Sequence, residues 1–89
     1  MVERTDEYII GRLIERSRLL IALSDEIPVE TKLQTQPLLK QLEQGLAVPA
    51  PDQDQGRVRS TYALLYDQLA DYADLEALLS ALKNFVPYL

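Results

Sequence analysis

Eighty-nine residues, 47% of them hydrophobic and carrying a formal net charge of -5, make at most one domain and too apolar a chain for wholesale disorder. Cysteine and histidine are both absent, which removes disulfides, thiolate zinc sites, cysteine nucleophiles, imidazole bases and histidine-ligated haem. A pI near 4.5 leaves no overall basic footprint to exchange with phosphate counterions, so nucleic acid is a disfavoured partner.

The first segment carries Ile9, Ile10, Leu13, Ile14, Leu20 and Ile21 at three- and four-residue steps, the spacing of one side of a helix. A helix is predicted from about residue 4 to residue 23, with Thr5 as N-cap and Asp6 and Glu7 where the helix dipole favours negative charge. Val2 and Leu23 widen its apolar arc to about 180°, enough to meet more than one neighbouring element. Arg16 projects inside this arc, about 20° from Ile9 and about 40° from Leu20. An arginine so placed either snorkels to the rim or pairs with a carboxylate such as Asp67 or Asp71 across an interface. Leu13 and Leu20 are interface candidates on the same arc.

Ser24 to Pro28 ends this helix, because proline cannot continue it and the residue before proline prefers an extended form. Pro28 is placed at the first position of a second helix, with Glu30 in its first turn. Val29 and Leu33 stand one turn apart, as do Leu38 and Leu42, and Pro37 between the pairs predicts a kink or break. Thr35 would cap the fresh start, and Gly45 would close the segment in the left-handed conformation. A loop rich in proline, aspartate and glutamine then spans about residues 46–56, stiffened by Pro49-Ala50-Pro51 and freed at Gly56. Neither half is long enough for its own core. The loop is therefore read as a turn inside one helical domain spanning residues 1–89.

Beyond the loop, Val58, Tyr62, Leu65, Leu69 and Tyr72 mark one helical face, and Leu75, Leu78, Leu79, Leu82, Phe85 and Val86 mark another. The two stripes are displaced by roughly 100°, far more than the drift of about 20° per heptad that a coiled-coil seam shows. A break near Ala73-Asp74, with an aspartate capping the last helix, accounts for the jump better than one long helix. Alternation of period two is missing, so the expected fold is an all-α bundle of four helices, or three long ones, which dimerisation could complete.

Motifs with chemical meaning are sparse. Asp67, Asp71 and Asp74 stand at i, i+4 and i+7, a spacing that on one helix face could hold Mg²⁺ or Mn²⁺. A solvated acidic face is the plainer reading, and no metal or other cofactor is expected. Ser80 and Lys83 match the S-x-x-K of serine acyl enzymes, but the companion motifs are missing. Arg4, Arg12, Arg16 and Arg18 form a basic cluster that Glu3, Asp6, Glu7 and Glu15 offset within the same helix. Five tyrosines against one phenylalanine suit boundaries between core and water. Tyr8, Tyr62 and Tyr72 are placed at the core edge, Tyr66 and Tyr88 at contacts with another molecule. The apolar end Phe85-Val86-Pro87-Tyr88-Leu89 is expected to dock on the first helix or on a partner.

These residues favour a noncatalytic protein–protein interaction module, an adaptor or regulatory subunit that pairs with itself as a homodimer or with another protein. Its interface candidates are Arg16, Leu13, Leu20, Tyr66, Phe85, Tyr88 and Leu89. A carboxylate-metal enzyme or metal-binding regulator built on Asp67, Asp71 and Asp74 is the alternative, and a nucleic-acid-linked regulator the third. No apolar run approaches the ~20 residues that span a bilayer. The acidic start Glu3 to Glu7 is unlike a signal peptide, so the expected address is the cytoplasm, away from membranes.

Overall fold

The long first helix owes its burial to a stripe at 4-3-4 spacing: Ile10, Ile14, Ser17 and Ile21 are all buried along one line. The computed structural model describes residues 2–48 and 52–86, and side chains from residue 6 onward within that span. Among the described residues there are four helices, α1 (Val2–Leu23), α2 (Val29–Ala47), α3 (Gln55–Leu69) and α4 (Ala73–Lys83), and no strand. Helix α1 packs on α2 and α4, helix α3 packs on the same two, and α1 and α3 lie diagonally across the bundle.

Cross-helix bonds fix the directions. Lys32 Nζ donates to the Ala22 carbonyl and Gln36 Nε2 to the Arg18 carbonyl, both at 3.2 Å. Numbers on α2 therefore rise as those on α1 fall. Tyr62 Oη donates to the Leu79 carbonyl at 2.7 Å and Tyr66 Oη reaches Glu76 Oε1 at 3.4 Å, which makes α3 and α4 antiparallel as well. The radius of gyration, 12.6 Å, matches the value of about 12 Å for a compact chain of this length.

One apolar core joins all four helices. Leu39, Leu42 and Leu46 come from α2, Val58, Tyr62, Leu65 and Leu69 from α3, and Leu75, Leu79 and Leu82 from α4, with Val86 just beyond it. The periodicity of the second half of the chain anticipates most of this set. The break before α4 is also where the change of stripe places it. Ala70 to Tyr72 form a tight corner in which the Tyr72 amide bonds to the Leu69 carbonyl. Tyr72, not an aspartate, is the N-cap of α4, and it makes no side-chain cap bond.

Of the three small polar residues buried among the described ones, Ser17, Thr35 and Thr61, the first two are satisfied by their own helix. Ser17 Oγ donates to the Leu13 carbonyl at 2.8 Å and Thr35 Oγ1 to the Thr31 carbonyl at 2.7 Å. Each hydroxyl is satisfied by the turn before it, so the residue can be buried.

The first half of the chain departs from expectation at its punctuation. Helix α1 starts at Val2, ahead of Thr5, so Thr5 is not its cap. Helix α2 runs unbroken through Pro37, and Thr35 lies inside it, buried, with its hydroxyl turned back along the helix. Pro37 stands on the exposed face, so the Leu33 carbonyl, to which it has no N–H to give, lies on the solvent side of the helix. The buried neighbours Thr35, Leu39 and Leu42 hold the flanking turns in register. Pro28 is the N-cap of α2 rather than its first residue, and its carbonyl accepts from the Lys32 amide at 3.0 Å.

Gly45 is likewise helical. Helix α2 ends two residues later, with Val48 extended. Glycine is needed at this position for contact: a Cβ there would meet Val58 Cγ2 at 2.8 Å. The Pro49-Ala50-Pro51 piece of the expected loop lies outside the described residues, and beyond it Asp54 caps α3 by accepting from the Arg57 amide at 3.1 Å.

A candidate interaction surface

Helices α1 and α2 form an antiparallel hairpin closed by Ser24 to Pro28. Ser24 Oγ accepts from the Glu26 amide at 3.1 Å, a serine turn that reverses the chain. Ile27 is buried and pins the turn to the core. With the core stripe of α1 fixed by Ile10, Ile14, Ser17 and Ile21, residues Tyr8, Arg12, Leu19 and Leu23 project to the opposite side at about 100° per residue. Helix α2 carries Val29, Leu33 and Pro37 on its outward side by the same count.

That outward side is apolar near the closed end. Leu19, Leu23, Val29 and Leu33 are 45%, 78%, 70% and 71% exposed. The bond from Lys32 to the Ala22 carbonyl sets the turn bearing Leu33 beside the turn bearing Leu19 and Leu23. Together these side chains leave on the order of 400 Å² of apolar surface open, the size of the largest patch on a typical monomer, which is often functional. Arg18 grips the Glu15 carboxylate next to the seam with α2, its Nε lying 3.1 Å from Oε2. That contact holds the Glu15 carboxyl below its ordinary range and the Arg18 guanidinium above its own.

The residues singled out from the sequence fall into four groups. Arg16 is exposed and has no ion pair with any described residue, so its pairing with Asp67 or Asp71 does not occur within the chain. Leu13, Leu20 and Phe85 are half-buried and pack against the core. Tyr66 is partly exposed and stacks on Tyr62, with ring centroids 6.1 Å apart, beside Glu76. Tyr88 and Leu89 lie outside the described residues.

One further expectation is corrected. Tyr8 is 66% exposed, because it projects away from the core stripe of α1 instead of along its edge. Val29 and Leu33, one turn apart, face outward, while Thr35, Leu39, Leu42 and Leu46 make the buried line of α2. The spacing of Val29 and Leu33 alone, one helical turn, does not say which side of the helix is buried.

The acidic triad is divided by the fold. Asp67 is on α3, Asp71 is in the corner and Asp74 is in the first turn of α4, so the three share no helix face. Among the described residues no group of three or more acidic side chains is gathered closely enough to hold a metal ion. Ser80 Oγ donates to Glu76 Oε1 at 2.8 Å, so its partner is that carboxylate and not Lys83.

An open cleft of about 490 Å³ lies at the same end of the bundle, between the α1–α2 turn and the α3–α4 corner. Leu20, Leu23, Ile27 and Leu75 line it, with Asp25, Glu26 and Asp74 among its other walls. The apolar face thus continues around the closed end through Leu23. No described helix is long and apolar enough to cross a membrane. The chain matches no protein-family model, no curated protein and no solved structure.

Proposed function

We propose that this chain is a noncatalytic helical interaction module, an adaptor or regulatory subunit of the cytoplasm, which binds protein through the outer face of the α1–α2 hairpin. The reading is carried by one observation: Leu23, Val29 and Leu33 are each at least 70% exposed on a fold whose own core is filled without them. Apolar side chains scattered singly need no explanation, but a cluster at the end of one hairpin does. The mechanism is burial of a helix face, with the surrounding charges choosing the partner and its register.

Site-directed photocrosslinking tests this. A diazirine-bearing amino acid placed at position 33 is expected to yield a protein adduct under native conditions, whereas the same probe at position 67, on the exposed side of α3, yields little. Equal labelling at both positions, or none at position 33, would overturn the reading.

A further inference from the structure

The charges along the hairpin say what covers it. Asp25, Glu26 and Glu30 stand at the closed end, Leu19, Leu23, Val29 and Leu33 come next, and Arg12, Arg16 and Lys40 follow. All six charged side chains are exposed, and none is ion-paired with another described residue. At 1.5 Å per residue, Arg16 and Arg12 lie about 10 and about 16 Å from Leu23 along the helix, and Lys40 lies about 10 Å from Leu33. Along the hairpin the exposed charges therefore run from an acidic closed end, where Asp25 and Glu26 also border the cleft, past an apolar middle, to an end where Arg12, Arg16 and Lys40 stand beside the Glu15–Arg18 pair and Glu43.

Resting on the reading of this face as protein-binding, we infer that its occupant is a second copy of the chain. The two copies meet face to face about a two-fold axis that lies in the interface at right angles to the hairpin. That operation sets α1 antiparallel on α1 of the second copy and α2 on its α2. Leucines then cover leucines, Arg12 and Arg16 meet Asp25 and Glu26 of the other copy, and Lys40 meets Glu30. A parallel pairing would put like charges together at both ends. The apolar middle supplies about half of the ~800 Å² per partner that a stable interface needs, and the charged turns supply the rest. The pairing is therefore weakened by salt.

Charge exchange with native mass measurement tests the arrangement. The parent chain is expected at twice 10.1 kDa. Arg12→Glu with Arg16→Glu should give a monomer by itself, and so should Asp25→Lys with Glu26→Lys. Mixing the two variants should restore a one-to-one dimer, because each reversed end then meets an opposite charge. Circular dichroism of each variant confirms the helical fold, since only exposed positions change. A parent chain that stays at 10.1 kDa at millimolar concentration overturns the second copy. A position-33 adduct with a different protein would in that case leave the interaction module standing with another partner. A dimer that persists in both charge variants also overturns the inference, since its interface must lie elsewhere.

Discussion

Gly45 and Val58 bring α2 and α3 together at a distance that leaves no room for one methyl group: a Cβ on Gly45 would lie 2.8 Å from Val58 Cγ2. Val58 is buried and β-branched, so its side chain has little freedom to turn aside. Gly45→Ala gains the helix propensity of alanine but forces the helices apart, with an expected net loss of about 1–2 kcal/mol. In a Val58→Ala background the clash is gone and the same substitution should stabilise. Urea unfolding of the four chains as a double-mutant cycle reads the coupling directly.

Gly11 is the contrasting case. It is helical, in the interior of α1, and a Cβ added there meets nothing within 4 Å. Gly11→Ala should therefore raise stability by about 0.5–1 kcal/mol, seen as a higher urea midpoint with an unchanged slope. An equal gain at Gly11 and at Gly45 would show that contact between α2 and α3 does not constrain Gly45.

Tyr62 ties α3 to α4 through its hydroxyl bond to the Leu79 carbonyl, and burial raises its pKa above the ordinary value of 10.0, helped by Tyr66 and Glu76 nearby. The sign follows from linkage. A folded pKa above the unfolded one gives stability that is complete below about pH 10 and lost as pH rises through the folded value. Tyr62→Phe should cost about 1 kcal/mol at neutral pH. It should also flatten the alkaline decline, so that urea midpoints of parent and variant converge above pH 10. A variant whose decline stays parallel to the parent's would contradict this.

How much of this could be read from sequence depended on what kind of signal each feature gave. The core faces of α1, α3 and α4 were legible because leucine, isoleucine and tyrosine repeat at helical spacing where each helix has one buried side. The corner after Leu69 was legible as a jump between stripes. Punctuation misled where tertiary packing outvoted local preference. Pro37 breaks no helix because its own face is exposed, and Gly45 marks a close approach, not an end. Asp54 was hidden as a cap because Gln55-Gly56 after it resembles loop. The exposed cluster was harder still. Leu23, Val29 and Leu33 have the residue types of core, and only the burial of Ile27, Thr35 and Leu39 beside them shows that the interior is already full.

The most direct test asks whether these outward leucines serve association or folding. Leu23→Gln combined with Leu33→Gln should leave dilute unfolding free energy within about 0.5 kcal/mol of the parent, as exposed positions do. The same variant should lose both the dimer mass and the adduct at a photoprobe on position 29. A loss of more than about 2 kcal/mol would place the leucines in the folding core. Unchanged assembly with unchanged stability would show that this face binds nothing.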